Sequence, residues 1–178
     1  TFLDEGGEQM RTWTFSCWFK IADPSVADGS VGHRRLFGVN FANNNTQTLE
    51  LGLNHSNQLN ATSWTNNFRT TSAVYRDPAA WYHCVWVMDT RNTVQDDRLR
   101  LYVNGERVTA FGTNYALGID EQYGIGYPTT HYVGWAGTGT VSAYAWDGNM
   151  AEVYFCSQQK LGPEYFGATN EDTNQWQP

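Results

Sequence analysis

Two glutamates, Glu50 and Glu152, fall within strand-like runs of this 178-residue chain, and a pair of carboxyl groups about 5–9.5 Å apart is what hydrolysis of a glycosidic bond requires. Residues two apart on a strand share a face, yet neither glutamate has an acidic residue two positions away. Each reads as an outward, solvated side chain. A cysteine nucleophile needs a histidine within reach, but Cys84 directly follows His83, which sends the two side chains to opposite faces of a strand. There is no Gly-x-Ser-x-Gly elbow, and Gly124-Ile125-Gly126 lacks the third glycine and the following helix of a phosphate cradle. His33, His55, His83 and His131 show no metalloprotease spacing, and His83 and His131 read as hydrogen-bonded structural groups. Cys17, Cys84 and Cys156 lie far from the spacing of about two to four residues found in zinc sites and read as reduced core residues. The acidic pairs Asp4-Glu5, Asp96-Asp97 and Asp120-Glu121 offer oxygens to a calcium ion, but none forms the dense acidic loop that a hard cation prefers, and no ligands are assigned to them. Asp77 and Asp147 read as turn residues. The expectation is a chain without catalytic residues, metal site or cofactor.

The elements that carry these side chains announce themselves by alternation of apolar and polar residues, the mark of antiparallel strands. From Thr12 to Ile21, the positions Trp13, Phe15, Cys17, Phe19 and Ile21 share one face, opposite Thr14, Ser16, Trp18 and Lys20. Leu36–Phe41 and Leu49–Leu53 repeat the pattern, whereas Trp81–Met88 is apolar on both faces and predicts a central, doubly covered strand. Arg98–Val103 alternates, meets Asn104-Gly105 and resumes at Arg107 and Val108, which is a strong hairpin signal. His131–Gly134 and Gly148–Phe155 complete the strands, the second with Ala151, Val153 and Phe155 opposite Met150, Glu152 and Tyr154. Leu161–Gly167 predicts one short helical turn, with Pro163 at its start and Gly167 as its stop. The segments 43–45 and 54–67, rich in Asn, Ser and Thr, read as surface loops. A single β-sandwich domain over residues 1–167, followed by a polar C-terminal tail at 168–178, is the predicted organisation.

Composition narrows the partners. A net charge of -7 repels phosphate backbones, and the one dense basic spot is His33-Arg34-Arg35, which disfavours nucleic acid. No apolar run reaches the ~20 residues of a membrane-spanning helix. Aromatics make up 15% of the chain, a load that excludes disorder. The three Asn-x-Ser/Thr sequons, at Asn44, Asn54 and Asn60, carry no functional weight in so Asn-rich a chain.

Five motifs in order, Trp13–Lys20, Trp81-Tyr82-His83, Leu101–Gly105, Trp146-Asp147-Gly148 and Ala151-Glu152-Val153, resemble the laminin-G-like, concanavalin-A-like jelly rolls. Asp77-Pro78-Ala79-Ala80-Trp81-Tyr82-His83 and the close from Asp147 to Gly167 are most similar to the branch found in structural proteins of tailed bacteriophages. The resemblance runs from about Trp13 to Gly167 and implies an all-β, two-sheet antiparallel jelly-roll sandwich. It also implies a habit of binding, although the fold hosts lectins, adhesion modules, hydrolases and structural domains alike.

Binding is expected where Tyr115, Tyr123, Tyr127, His131, Tyr132, Trp135, Tyr144 and Trp146 are interleaved with glycine and threonine. Ring faces flanked by short polar groups suit sugar rings or a protein hot spot. Tyr127, Trp135 and Tyr144 are the rings most expected at the surface, with Trp146, His131 and Tyr123 in the same candidate site. Trp18 and Trp86 either line the open face of a sheet or are covered there. The expected role is a non-catalytic virion-surface module, a fibre or capsid decoration, that holds a host cell-surface glycan or another virion protein and is compatible with homo-oligomerisation. The alternatives are a cellular extracellular lectin or adhesion domain and a polysaccharide hydrolase of the same fold.

Overall fold

A computed structural model describes residues 11–26, 33–39, 48–63, 66–115, 117–125, 130–135 and 144–178. The described residues form thirteen strands: β1 Thr12–Ile21, β2 Arg34–Val39, β3 Leu49–Leu53, β4 Leu59–Thr62, β5 Asn67–Thr71, β6 Tyr82–Asp89, β7 Leu99–Val103, β8 Glu106–Arg107, β9 Phe111–Asn114, β10 His131–Val133, β11 Gly148–Ser157, β12 Ala168–Thr169 and β13 Trp176–Gln177. Two antiparallel sheets stack into a sandwich, a five-stranded one in the order β11-β1-β6-β7-β8 and a six-stranded one in the order β10-β2-β3-β4-β5-β9, with β12-β13 as a separate ribbon. Three 3-10 turns lie wholly within the described residues, one of them the expected Pro163–Tyr165. None is long and apolar enough to cross a membrane.

The alternation in β1 does what the sequence implies. Trp13, Phe15, Cys17, Phe19 and Ile21 all enter the core and meet Leu36, Phe37, Leu49, Leu51 and Leu53 of the facing sheet. β6 is central, and its inner face carries Cys84, Trp86 and Met88 opposite Cys17, Phe15 and Trp13 of β1. Trp86 is therefore a core residue rather than a lining of an open face. The Asn104-Gly105 turn has both residues at positive φ, 49° and 85°, the backbone of a tight hairpin whose twist suits the flanking strands.

Four features depart from the sequence reading. The segment 54–67 holds β4 and the start of β5 rather than one long loop. Its polar residues misled because Asn60 and Thr70 face each other across the two strands and are buried there. Strand β2 begins at Arg34, two residues earlier than expected, and its register shifts between Arg35 and Phe37, so that Phe37 opposes Leu51 and Arg35 opposes Gly52 on the other face. In β11 the alternation breaks at a bulge: Ser16 pairs Tyr154 but Trp18 pairs Ala151, and Glu152 sits at φ 47°. Met150 and Phe155 thereby both reach the core.

The fourth departure is the end of the chain. Residues 168–178, expected as a polar tail, carry the β12-β13 ribbon, and Trp176 lies beside His83 on the outer face of the five-stranded sheet, with ring planes 18° and centroids 5.9 Å apart. Trp18 stacks on His83 at 5.0 Å, so three rings lie in contact in series. The Trp176 indole N–H donates to His83 Nδ1 at 2.9 Å. Because indole is only a donor, Nδ1 must be the bare nitrogen, and the His83 proton sits on Nε2, 2.8 Å from Ser16 Oγ. Gly105 lies beneath the same indole, where a Cβ would come within 2.6 Å of Trp176 Cε3.

Candidate functional site

The outer face of the six-stranded sheet gathers the groups suited to recognition. Cross-strand register places Arg35, Gly52, Asn60 and Thr70 in one row and Gly38, Glu50 and Thr62 in the next. Arg35 Nε lies 2.8 Å from Glu50 Oε2 and its NH1 donates to Asn60 Oδ1 at 3.1 Å. These three residues are only 3%, 4% and 2% exposed. Gly52 is required in that row because a Cβ would fall 2.0 Å from the Arg34 carbonyl oxygen. Burial works against charge on both members of the pair, pulling the Arg35 guanidinium down and pushing the Glu50 carboxyl up, and each is held ionised by the other.

Aromatic and imidazole rings border this polar floor. Tyr144 lies within electrostatic reach of Arg35 and stacks nearly parallel on His33, with centroids 6.4 Å apart. His33 meets His55 edge-on at 6.0 Å, and burial, followed by the charges of Arg35 and His55, pushes its pKa down to about 4. Trp135 meets Tyr132 edge-on at 5.0 Å, and the pairing of Tyr132 with Gly38 puts that tyrosine on the outer face with Glu50. Tyr144, Trp135, Tyr132 and His33 are all partly exposed. On the β5-β9 side, Arg69 lies over the Phe111 ring at 4.6 Å.

Of the expected site residues, the structure brings Trp135 and Tyr144 to this face, and Tyr127 lies outside the described residues. Tyr123 is instead a core residue, 4% exposed, edge-on to Phe68 with its hydroxyl on Glu121. Trp146 packs edge-on against Phe19 and donates its N–H to the Asn149 carbonyl, while His131 turns toward Phe37 at the margin of the sandwich. Trp146 and His131 pack against Phe19 and Phe37 where β10 and the entry to β11 meet the core, and Tyr123 packs on Phe68 of β5. Glu50, expected as a solvated side chain, is buried by its pairing with Arg35. Arg35, Asn60, His33 and His55 were missed as site residues; the signal that could have found Arg35 and Asn60 is a polar residue at the outer position of neighbouring strands, whereas His33 and His55 lie outside the strands. Asn60 is buried, which removes its sequon from the surface.

The register also bears on catalysis. Glu50 has Gly38 and Thr62 as cross-strand neighbours and Thr48 and Gly52 two positions away, so no second carboxylate flanks it in β2, β3 or β4. Asp96 and Asp97 face Arg69 and Arg107. Asp120 faces Arg11 and Arg91, and Glu121 accepts from Tyr123 and from the Gly118 amide. These carboxylates are cation-paired or hydrogen-bonded, Asp4 and Glu5 lie outside the described residues, and among the described residues no cluster of three metal-ligating side chains occurs.

Residues 7–164 match the profile of the concanavalin A-like lectin/glucanases superfamily. Solved structures of similar fold include the CBM40 of Ruminococcus gnavus IT-sialidase, 11% identical with a TM-score of 0.53 over 89% of this chain and 82% of that one. Trypanosoma rangeli sialidase is 14% identical with a TM-score of 0.53 over 87% of this chain, which spans only 22% of that enzyme's length. Domain 4 of AbnA, an extracellular arabinanase from Geobacillus stearothermophilus, is 16% identical with a TM-score of 0.51 over 86% of this chain and 64% of that one. The CBM40 has been solved with α2,3-sialyllactose and the AbnA domain with arabinotriose. At these identities the likeness is one of fold. No curated protein matches the chain.

Proposed function

The chain belongs to the concanavalin A-like lectin/glucanase superfamily, and from that premise we propose that it is a non-catalytic module that binds a glycan on the outer face of its six-stranded sheet. The observation that carries the reading is the pairing of partly exposed rings, Trp135, Tyr144 and His33, with the Arg35–Glu50–Asn60 floor. A pyranose presents an apolar face, which stacks on an aromatic ring, and the buried, mutually paired floor fixes the strands beneath those rings. The floor is held rigid by its own ion pair and hydrogen bond, so little ordering accompanies binding. Two relatives of similar fold that were solved with oligosaccharides support the ligand class.

The finer placement, on a virion surface or otherwise outside a cell, rests on the likeness of Asp77–His83 and of the Asp147–Gly167 close to tailed-phage structural proteins. There the ligand is a host cell-surface glycan, or the same face holds a second virion protein. A glycan array probed with the chain and with its Trp135→Ala and Tyr144→Ala variants tests the reading. Specific binding that both variants lose supports it, and a blank array with folded protein refutes the glycan and leaves the protein partner.

A further inference from the structure

Two of the chain's three cysteines meet inside the sandwich. Cys17 of β1 and Cys84 of β6 stand directly opposite each other in a register that runs unbroken from Thr12 to Phe19. Their sulfurs lie 3.7 Å apart, although 67 positions separate the two residues in sequence. The kind of pair follows from the end of the same ladder. The Thr90 amide donates to the Arg11 carbonyl, one step beyond the Thr12–Asp89 pair. Hydrogen-bonded and non-hydrogen-bonded pairs alternate along antiparallel strands, so Cys17 and Cys84, six steps further on, are of the hydrogen-bonded kind, with Cα atoms about 5.5 Å apart. Disulfides most often have a Cα separation of this size, and rotation of the two side chains brings the sulfurs to the ~2 Å of a bond.

The same registers exclude the third cysteine. Cys156 pairs with Thr14, whose neighbours Trp13 and Phe15 enter the core, so Thr14 and Cys156 share the outer face of the five-stranded sheet. Cys17 and Cys84 belong to the core between the sheets. Of the three pairings that three cysteines allow, the fold therefore brings together one. Both of its members are fully buried, which keeps reagents from the sulfurs once the sandwich has closed, so a bond between them forms on the folding chain and is then shielded from reductants.

We infer that Cys17 and Cys84 are a disulfide site, closed when the chain folds under oxidising conditions. One thiolate attacks a small-molecule disulfide such as glutathione disulfide and displaces a glutathione thiolate. The second cysteine thiolate then attacks the cysteine sulfur of that mixed disulfide and displaces the other glutathione. The two cysteines give up two protons and two electrons between them, and the oxidant leaves as two glutathione thiols. The bond ties β1 to β6, neighbouring strands inside the five-stranded sheet, and it stands independently of the glycan reading of the other sheet. The test is refolding of the full chain and of its Cys156→Ser variant from urea, in a glutathione buffer rich in the disulfide form, with refolding in dithiothreitol as the reduced reference. The oxidised products are expected to keep the near-ultraviolet circular dichroism of the reduced protein, and a non-reducing digest of each should join the Cys17 and Cys84 peptides. Intact Cys156→Ser should weigh two hydrogens less than its reduced form, and folded Cys84→Ser should contain no bond between Cys17 and Cys156. Free Cys17 and Cys84 in protein that has folded in the glutathione buffer, an internal bond through Cys156, or a Cys17–Cys84 bond confined to chains without the native spectrum overturns the assignment.

Discussion

Acidification should unlock the C-terminal ribbon through His83. The ring is 1% exposed, and in the fold it must be neutral, because its bare Nδ1 accepts the Trp176 indole N–H. Burial pushes its pKa from the ordinary 6.5 down to about 4. As pH falls below 6.5, the unfolded chain takes up the proton first, so the stability His83 confers is complete above that pH and is lost progressively down to pH 4. A displacement of about 2.5 units corresponds to a loss of about 3 kcal/mol across that window. Urea denaturation at half-unit steps from pH 7.5 to 4.5 would read it, with His83→Gln as the comparison, because the variant lacks the titrating group. Carboxylates act mainly below this range, and His33, only partly buried, supplies a smaller slope of the same sign in both proteins. Wild type is expected to lose stability more steeply than His83→Gln between pH 6.5 and 4.5, and parallel slopes would refute the reasoning.

Other consequences follow from single contacts. Glu50→Ala should cost about 3–5 kcal/mol in chemical denaturation by leaving Arg35 buried and uncompensated, and the double replacement Arg35→Met with Glu50→Leu should restore most of it. Gly105→Ala combines a residue at φ 85° with a Cβ pressed into the Trp176 ring. It should cost about 1–3 kcal/mol and speed proteolysis of the ribbon after Gly167. Cys17 and Cys84 are buried with their sulfurs 3.7 Å apart, and burial pushes the Cys17 thiol up. Under native conditions iodoacetamide should therefore modify the partly exposed Cys156 first, as peptide mapping by mass spectrometry would show.

The strands that were legible in the sequence are those with a plain contrast between faces. Trp13 to Ile21 could be read because its odd residues go to the core, and the Asn104-Gly105 hairpin because its turn demands two positive φ values. Strands β4 and β5 escaped notice because Asn60, Arg69 and Thr70 are buried polar residues, and composition alone cannot tell a buried polar row from a loop. The bulge at Glu152 has no local signature, since nothing in Met150–Val153 requires a left-handed residue there. The closing ribbon depends on a contact between Trp176 and His83 that are 93 residues apart. At the site, Trp135 and Tyr144 were visible as rings in glycine- and threonine-rich context. Arg35 and Glu50 were not, because their partnership exists only through the register of β2 on β3.

The central claim, that a glycan seats on the rings above the Arg35–Glu50–Asn60 floor, is tested most directly by calorimetric titration of the chain with the best oligosaccharide from the array. Trp135→Ala and Tyr144→Ala are each expected to weaken binding about tenfold or more while leaving the unfolding midpoint close to that of the wild type. Affinity unchanged in both folded variants would contradict the account and move the site off this face.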